Sequence, residues 1–372
     1  AIRHAWENGL YFSRWLPDLA FGYGYPFFNY REPLPLYLTH FLHLTGLPLP
    51  AATNLFYILC ILGAGWFMFL WARDLFGVRA GFVSAVAYMA APYMFADAFV
   101  RGNQVESAAL ALMPFLLWAG RRYLLTGRAR WFLATIGGLA ALALSHNISL
   151  LLFTPTLFVY LLTLAWLHRL SWKPAALRLA LLFILGLGLT AIYTGPALLE
   201  MDAVTLSLST TTRNNDFRFN FSTLAEIFAP VAPENPALLN PPLLFRLGWI
   251  PAGLALLGLL SAPANRDHEQ RAHIVLMGLA AAVFLFLALA ASRPVWASLP
   301  LIEFVQFPWR FVGRAALPVA LLAGAPFSDQ IARRRPEWVA AGQRILFFAA
   351  LILLFVEAIP NLYPTSCPED PV

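Results

Sequence analysis

The chain has 372 residues, of which 60% are hydrophobic and 12% are charged, and its mean hydropathy is +0.68. A soluble domain carries about 25% charged residues, so this chain has too few to cover a surface that faces water. We therefore predict an integral membrane protein rather than a soluble enzyme. The formal charge of +6 does not indicate nucleic-acid binding, because basic residues are expected in the cytoplasmic loops of membrane proteins.

Long apolar runs without alternation predict transmembrane helices rather than barrel strands. We expect an all-α polytopic bundle of about ten spans, each near the length that crosses about 30 Å of hydrocarbon. Prolines within several spans are expected to kink them without breaking the bundle. The predicted spans are 53–72, 80–96, 104–120, 131–146, 148–167, 178–198, 244–262, 273–291, 312–327 and 344–360.

The distribution of basic residues predicts the orientation of the spans. Fifteen of the 25 Lys and Arg residues fall in alternate loops, which the positive-inside rule assigns to the cytoplasm. The other ten, including Arg101, Arg310 and Arg314, are then external or at the outer membrane boundary. The fifteen are Arg73, Arg79, Arg121, Arg122, Arg128, Arg130, Arg169, Lys173, Arg178, Arg266, Arg271, Arg333, Arg334, Arg335 and Arg344.

Two external loops are large in this topology. Within residues 1–50, the amphipathic stretch 4–17 and the short apolar segment 34–46 are expected to lie along the membrane as helices. In the alternative topology, 34–46 crosses the membrane and 1–33 is cytoplasmic. The second loop, 199–243, is first polar and then rich in proline, which is typical of lids, binding loops or disordered segments.

The chain divides into an external loop (1–50), a first transmembrane helix group (51–198), an external loop (199–243), a second helix group (244–360) and a tail (361–372). Because it begins and ends abruptly, we expect a piece of a longer protein that continues after the tail. Its two cysteines, Cys60 and Cys367, are far apart, and no metal-ligand spacing, P-loop, dinucleotide-binding glycine pattern or HExxH motif is present.

Three charges interrupt the apolar sequence in "FADAFVRGNQVE" (95–106), at Asp97, Arg101 and Glu106. The topology places them externally between two consecutive helices, with a tight turn at Gly102 and with Glu106 where the helix dipole favours an anion. One interpretation is a salt-bridged turn with a helix cap. The other is a phosphate site in which Arg101 binds a lipid phosphate, while Asp97 or Glu106 orients it or binds an acceptor hydroxyl.

Two further motifs carry polar residues at external helix ends. In "QFPWRFVGR" (306–314), Arg310 and Arg314 are one helical turn apart and fit either interfacial snorkelling or phosphate binding. In "LSHN" (144–147), His146 and Asn147 fit either a structural helix end or a site where His146 donates to a phosphate or acts as a base.

The first external loop offers carboxylates and aromatic rings. Glu7 and Asp18 are candidates for a general base that deprotonates an acceptor hydroxyl. Tyr23 and Tyr25 could stack on a sugar, and interfacial packing is the alternative role for these rings. Weaker acidic candidates are Glu200, Asp202 and Glu303, and Glu357 is expected to pair with another helix.

Four motifs together resemble a bacterial membrane-protein family described as "6-pyruvoyl-tetrahydropterin synthase related". They are "RWLPDLAFGYGYPFFNYREPLPLYL" (14–38), "YMFADAFVRGNQVESAALALMPFLLW" (93–118), "LALSHNISLLL" (142–152) and "FVQFPWRFVGRAALPVALLAG" (304–324). This family is similar to the GT-C superfamily of polytopic glycosyltransferases, which includes protein mannosyltransferases and aminoarabinose transferases.

The resemblance implies a GT-C-like fold in the bacterial inner membrane. It also implies transfer of a sugar from a polyprenyl-phosphate donor to an acceptor on the extracytoplasmic face. The superfamily's catalytic carboxylate usually follows the first membrane helix, so it is expected upstream of Ala1, and a divalent metal ion is the candidate cofactor. The alternative is a non-catalytic, GT-C-like scaffold or lipid-binding subunit of a larger complex. The sequence does not identify the sugar, the acceptor or any protein partner.

Overall fold

The computed structural model describes residues 2–203, 212–230, 244–329 and 337–362. Within these residues the regular structure is helical, and the extended contacts are two isolated β-bridges, Leu16–Tyr25 and Ser222–Leu289. The all-α prediction is therefore confirmed. Such a structure suits a membrane because each helix satisfies its own backbone hydrogen bonds.

Seventeen α-helices, joined in places by short 3-10 turns, make up the described part of the chain. They are α1 (Ile2–Glu7), α2 (Phe27–Tyr30), α3 (Leu34–Leu44), α4 (Leu49–Phe76), α5 (Val78–Met89), α6 (Pro92–Phe95), α7 (Gln104–Thr126), α8 (Ala129–Ser145), α9 (Asn147–Leu167), α10 (Trp172–Gly188), α11 (Ala191–Leu199), α12 (Leu224–Ile227), α13 (Trp249–Ser261), α14 (His268–Ala288), α15 (Arg293–Ser298), α16 (Arg310–Gly324) and α17 (Glu337–Leu362).

Each of the ten predicted spans coincides with one helix or with a bent helix pair. In the described residues, four helices are long and apolar enough to cross a membrane, namely α4, α9, α14 and the Arg344–Leu362 part of α17. The bent pairs α5–α6 and α10–α11 raise that number to six if each pair is one span. The chain is thus a multi-pass membrane protein, and crossing by α7, α8, α13 and α16 stays a prediction.

Two predicted spans bend sharply. The axis turns by 43° between α5 and α6, where Pro92 begins the new helix and the preceding Ala91 is held out of the helical region. The predicted span 178–198 consists of two helices, α10 and α11, whose axes differ by 74°. The first of them ends at Gly188, and the Thr190 hydroxyl donates to the Leu187 carbonyl at 2.7 Å. A hydroxyl bonded in this way competes with continuation of the helix.

The first loop contains less helix than its amphipathic pattern predicts. The predicted helix over 4–17 is confined to α1 and ends at Glu7, two residues before Gly9 with φ +77°. The segment 34–46 is helical as α3, whose eleven residues extend about 16 Å, well short of a membrane. This length is consistent with α3 lying along the membrane.

The described residues form two compact units. One unit comprises residues 2–61 and 104–203, and the other comprises 62–103, 212–230, 244–329 and 337–362, so the boundary falls within α4. In the first unit, α7 packs against α8 and α9, and α10 packs against α8. In the second unit, α5, α13 and α14 pack around α16.

Helix α16 is the core of the second unit, since all fifteen of its residues are buried. Small residues allow its neighbours to approach closely. A Cβ added to Gly258 of α13 would collide with the Leu322 carbonyl, and one added to Gly324 would lie within 2.5 Å of the Ala80 carbonyl. Close approach at small residues is a common means of helix association in membranes.

Glu357 of α17 caps a helix distant in sequence. Its carboxylate accepts hydrogen bonds from the backbone N–H groups of Trp249 at 2.5 Å and Ile250 at 3.1 Å, in the first turn of α13. The prediction that Glu357 pairs with another helix is therefore confirmed. A carboxylate at this position satisfies donors that the helix itself leaves open, and it is favoured by the helix dipole.

We predict that Glu357→Ala destabilises the protein by about 1–3 kcal/mol, because two N–H groups of α13 lose their acceptor. Thermal unfolding of the purified protein would show a lower Tm than that of Glu303→Ala, which removes an exposed carboxylate. Equal Tm values for the two variants would contradict the capping role.

Candidate functional site

The charges at residues 97 and 101 lie on an unusual helical turn. Residues Ala96–Val100 continue α6 as a π-helical turn, in which the Arg101 N–H donates to the Ala96 carbonyl at 2.9 Å. The following Gly102 has φ +60°, as the predicted tight turn requires. Turns of this π type are often found at functional sites.

Asp97 holds the Arg101 side chain in place. The Asp97 carboxylate is fully buried and accepts from Arg101 Nη1 at 2.5 Å, while the Arg101 side chain retains 14% exposure. The salt bridge expected from the sequence is therefore present. An ion pair with one buried partner fixes the orientation of a guanidinium far better than an exposed pair does.

Aromatic rings cover the Arg101 guanidinium. Its central carbon lies 4.6 Å from the Trp309 ring centroid and 5.8 Å from that of Phe245. The two rings are themselves stacked, with centroids 3.8 Å apart and planes at 12°. Stacking on an aromatic face preserves the positive charge and restricts the guanidinium plane.

The same Trp309 ring also contacts the next arginine of the "QFPWRFVGR" motif. The central guanidinium carbon of Arg310 lies 5.8 Å from the Trp309 centroid and 5.0 Å from that of Phe307. Arg310 Nη1 donates to the Val305 carbonyl at 2.8 Å. One indole therefore brings Arg101 and Arg310 together, although they are more than two hundred positions apart.

Arg314 lies one turn further along α16 and is almost completely buried, at 1% exposure. Its Nη1 donates to the Arg310 carbonyl at 3.1 Å. This burial does not fit the snorkelling interpretation, in which the charged group reaches water. Gly313, between the two arginines, has no side chain, and the Tyr93 ring occupies the space where a Cβ would lie.

We call Asp97, Arg101, Trp309, Arg310 and Arg314 the arginine cluster. Its charged members are three guanidinium groups and one carboxylate. Arginine remains protonated at every relevant pH and offers several donors in a plane. The cluster has the composition expected of a site for a phosphate group at a membrane boundary.

In the first unit, His146 and Asn147 are held by a separate polar network. The Asn147 N–H, at the start of α9, donates to the Glu32 carboxylate at 2.8 Å, and its side-chain amide donates to the Tyr193 hydroxyl at 2.9 Å. His146 is buried, with Nδ1 2.7 Å from the Ser149 hydroxyl. These contacts agree with a structural helix end, with Glu32 as the cap of α9.

Besides the contact of Glu32 with α9, the first loop is held by hydrogen bonds to Glu200. Its carboxylate accepts from the Asn29 amide at 2.7 Å and from Arg14 at 3.4 Å, and its backbone carbonyl accepts from the Tyr30 hydroxyl at 2.7 Å. Residues 14–32 are therefore attached to the end of α11 and to the start of α9.

The remaining candidates occupy different environments. Glu7 and Asp18 are each 59% exposed; Glu7 pairs with Arg3 at 3.1 Å, and Asp18 lies 3.8 Å from His4. Tyr23 and Tyr25 are 88% and 50% exposed, so neither ring is packed in the core. Glu106 is fully buried in the first turn of α7, where the helix dipole stabilises its carboxylate.

Part of the loop predicted at 199–243 is also organised by an ion pair. The hydrogen bonds from the Arg218 guanidinium hold the pKa of Asp216 below its usual value, and the Asp216 carboxylate also accepts from the Arg218 N–H at 2.9 Å. The adjacent Phe217 stacks on Trp296 with centroids 5.3 Å apart. Residues 204–211 and 231–243 of the predicted loop lie outside the described residues.

The described residues do not bring together three or more His, Cys, Asp or Glu side chains that could hold a metal ion.

The family model for "6-pyruvoyl-tetrahydropterin synthase related domain; membrane protein" matches residues 28–364. The chain belongs to this family. Among solved structures, the chain is similar to the crystal structure of ArnT from Cupriavidus metallidurans bound to undecaprenyl phosphate, with 17% identity and a TM-score of 0.47. That alignment covers 90% of this chain and 65% of the ArnT chain. No curated protein matches this chain.

The charged members of the arginine cluster could be identified from the sequence, but the stack of Trp309 and Phe245 on Arg101 could not. Phe245 and Trp309 are far from Arg101 in sequence, and aromatic residues are abundant throughout the chain, at 15%. The contact between Glu32 and Asn147 could be found only from the fold, because the two residues are 115 positions apart. The sequence offers only two separate clues to this contact: a carboxylate in the motif 14–38, and a helix start without its own capping side chain in the motif 142–152.

We predict that Glu32→Ala loosens the first loop, because the start of α9 loses its carboxylate acceptor. In limited trypsin digestion of the purified protein, cleavage after Arg14 should accelerate relative to wild type. Glu7→Ala is the control, since it removes an exposed carboxylate paired only locally with Arg3. Unchanged cleavage in Glu32→Ala would contradict this anchoring role.

Proposed function

We propose that this protein is an inverting glycosyltransferase of the bacterial inner membrane. In this proposal, it moves a sugar from a polyprenyl-phosphate donor to an acceptor hydroxyl on the extracytoplasmic face. The observation that carries the proposal is the arginine cluster, in which one buried carboxylate and one indole hold two guanidinium groups. The predicted topology and the sequence resemblance to GT-C enzymes support the same assignment.

The cluster suits the charge changes of such a reaction. The donor phosphodiester carries one negative charge. When the bond between the anomeric carbon and the phosphate oxygen breaks, that oxygen keeps the electron pair and the leaving polyprenyl phosphate gains a second charge. Arg101 and Arg310 would therefore bind the departing phosphate more strongly than the intact donor, and such differential binding lowers the barrier.

The acceptor oxygen forms the new bond to the anomeric carbon, and its proton passes to a carboxylate base. Asp97 is buried and forms a salt bridge with Arg101, so we assign it the role of positioning that arginine. Glu7 and Asp18 have the exposure that an incoming acceptor needs, and they are the candidate bases among the exposed acids of the first loop. Glu106 is fully buried, so it would serve as a base only for an acceptor that enters a site closed to water.

Binding of polyprenyl phosphate to the purified protein tests the proposed phosphate site. We expect Arg101→Ala and Arg310→Ala each to weaken binding about tenfold to a hundredfold, as lost hydrogen bonds to a charged group do. Arg293→Ala is the matched control, because Arg293 is also a predicted external arginine beside an aromatic ring, 5.9 Å from the Phe221 centroid. Equal affinity in all variants would contradict the site.

A transfer assay with a polyprenyl-phosphate sugar tests the proposed base. We expect either Glu7→Gln or Asp18→Asn to lower turnover by about a hundredfold or more while polyprenyl-phosphate binding stays unchanged. Full turnover in both variants would exclude these two bases. Lipid binding without any sugar transfer, across a panel of donors and acceptors, would favour the non-catalytic lipid-binding alternative.

A further inference from the structure

A long part of the first unit has positive charges without negative ones. No Asp or Glu occurs in the sequence from residue 107 to residue 199. The same stretch contains seven basic side chains, all in loops that the positive-inside rule assigns to the cytoplasm. They are Arg121, Arg122, Arg128, Arg130, Arg169, Lys173 and Arg178. Anions that balance these charges cannot come from this stretch itself.

The fold brings the two basic turns to the same end of the first unit. Arg178 of α10 donates from Nη1 to the Leu124 carbonyl near the end of α7, at 2.8 Å. Its guanidinium also lies over Gly127, where an added Cβ would be 2.9 Å from Nη2. The turn between α7 and α8 therefore lies against Arg178, in the N-terminal half of α10.

An apolar groove reaches this basic end. It has a volume of about 850 Å³ and lies between α9 and α10. Its walls include Pro155, Phe158, Leu162, Leu179, Phe183 and Ile184. At the basic end it is flanked by Trp166 and Trp172, which are 78% and 73% exposed. Exposed indoles of this kind are typical of the boundary between hydrocarbon and head groups.

The position of the cations relative to the groove matches the shape of a phospholipid. Arg169 is exposed on the turn between α9 and α10, Lys173 is exposed in the first turn of α10, and Lys173 Nζ lies 6.0 Å from the Trp172 ring centroid. An acyl chain in the groove would thus place its head group at two cations. A basic site between transmembrane helices on the cytoplasmic side is a known way to bind anionic lipid head groups.

We infer that the groove between α9 and α10 is a binding site for an anionic phospholipid of the cytoplasmic leaflet. One acyl chain lies along Phe158 and Phe183, and the phosphate contacts Arg169 and Lys173. The charge complementarity selects an anionic lipid, because Arg169 and Lys173 lie in a stretch of sequence, 107–199, that offers no carboxylate to the cation of a zwitterionic head group. This site is independent of the proposed glycosyl transfer and of the arginine cluster.

Native mass spectrometry of the purified protein with added phosphatidylglycerol or phosphatidylcholine tests the inference. We expect wild type to bind phosphatidylglycerol about tenfold or more tightly than phosphatidylcholine. The double variant Arg169→Gln/Lys173→Gln should lose this preference. Arg266→Gln/Arg271→Gln is the matched control, since it removes two predicted cytoplasmic arginines that have Asp267 and Glu269 beside them, and it should keep the preference.

A second variant tests the groove without changing charge. Ala180→Phe fills a position that lines the groove and is exposed, so the fold should tolerate it, and both lipids should bind more weakly. Equal binding of the two lipids by wild type would overturn the inference and indicate only annular lipid. A preference that persists in Arg169→Gln/Lys173→Gln would also overturn it.

Discussion

Buried positive charge is the constraint on which the second unit depends. Helix α16 is enclosed on every side, yet it begins with Arg310 and carries Arg314 one turn later. An isolated charge in such surroundings is very costly, so each guanidinium must be balanced by hydrogen bonds, by aromatic faces or by a counter-charge. The carbonyls of Val305 and Arg310 and the ring of Trp309 supply the first two.

This requirement links features that look unrelated in sequence. The π-helical turn at 96–100 brings Asp97 and Arg101 to the side of Trp309, and Phe245 completes the stack. Gly313 gives Tyr93 room beside the two arginines of α16. The cluster places three arginines in and beside a buried helix, and ionisable groups at such depth in membrane proteins tend to serve function.

The first unit handles charge differently. Its loop residues are fastened by Glu32 and Glu200, which accept hydrogen bonds from the start of α9 and from the loop itself. Beyond these residues, its helices and turns from 107 to 199 contain basic residues and no acidic ones. The carboxylates that hold the loop lie at the predicted external side, and the basic residues lie at the predicted cytoplasmic side.

The sequence predicted the helices well, because long apolar runs are a strong and local signal. Span 148–167, for example, became α9 at Asn147–Leu167. The bend at Thr190 and the π-helical turn were not predictable, since both depend on individual side-chain and backbone contacts. Charged site residues were found because charge is rare in this chain, whereas Trp309 and Phe245 could not be distinguished among many aromatic residues without the tertiary contacts.

The most direct test of the account would map where the phosphate of a bound polyprenyl phosphate lies. A photoactivatable group placed next to the phosphate, followed by mass spectrometry of the labelled peptides, would give that position. The account predicts labelling of the segments around Arg101 and Trp309, with loss of label when unmodified polyprenyl phosphate competes. Label confined to other helices, with none on these two segments, would contradict the assignment of the arginine cluster as the phosphate site.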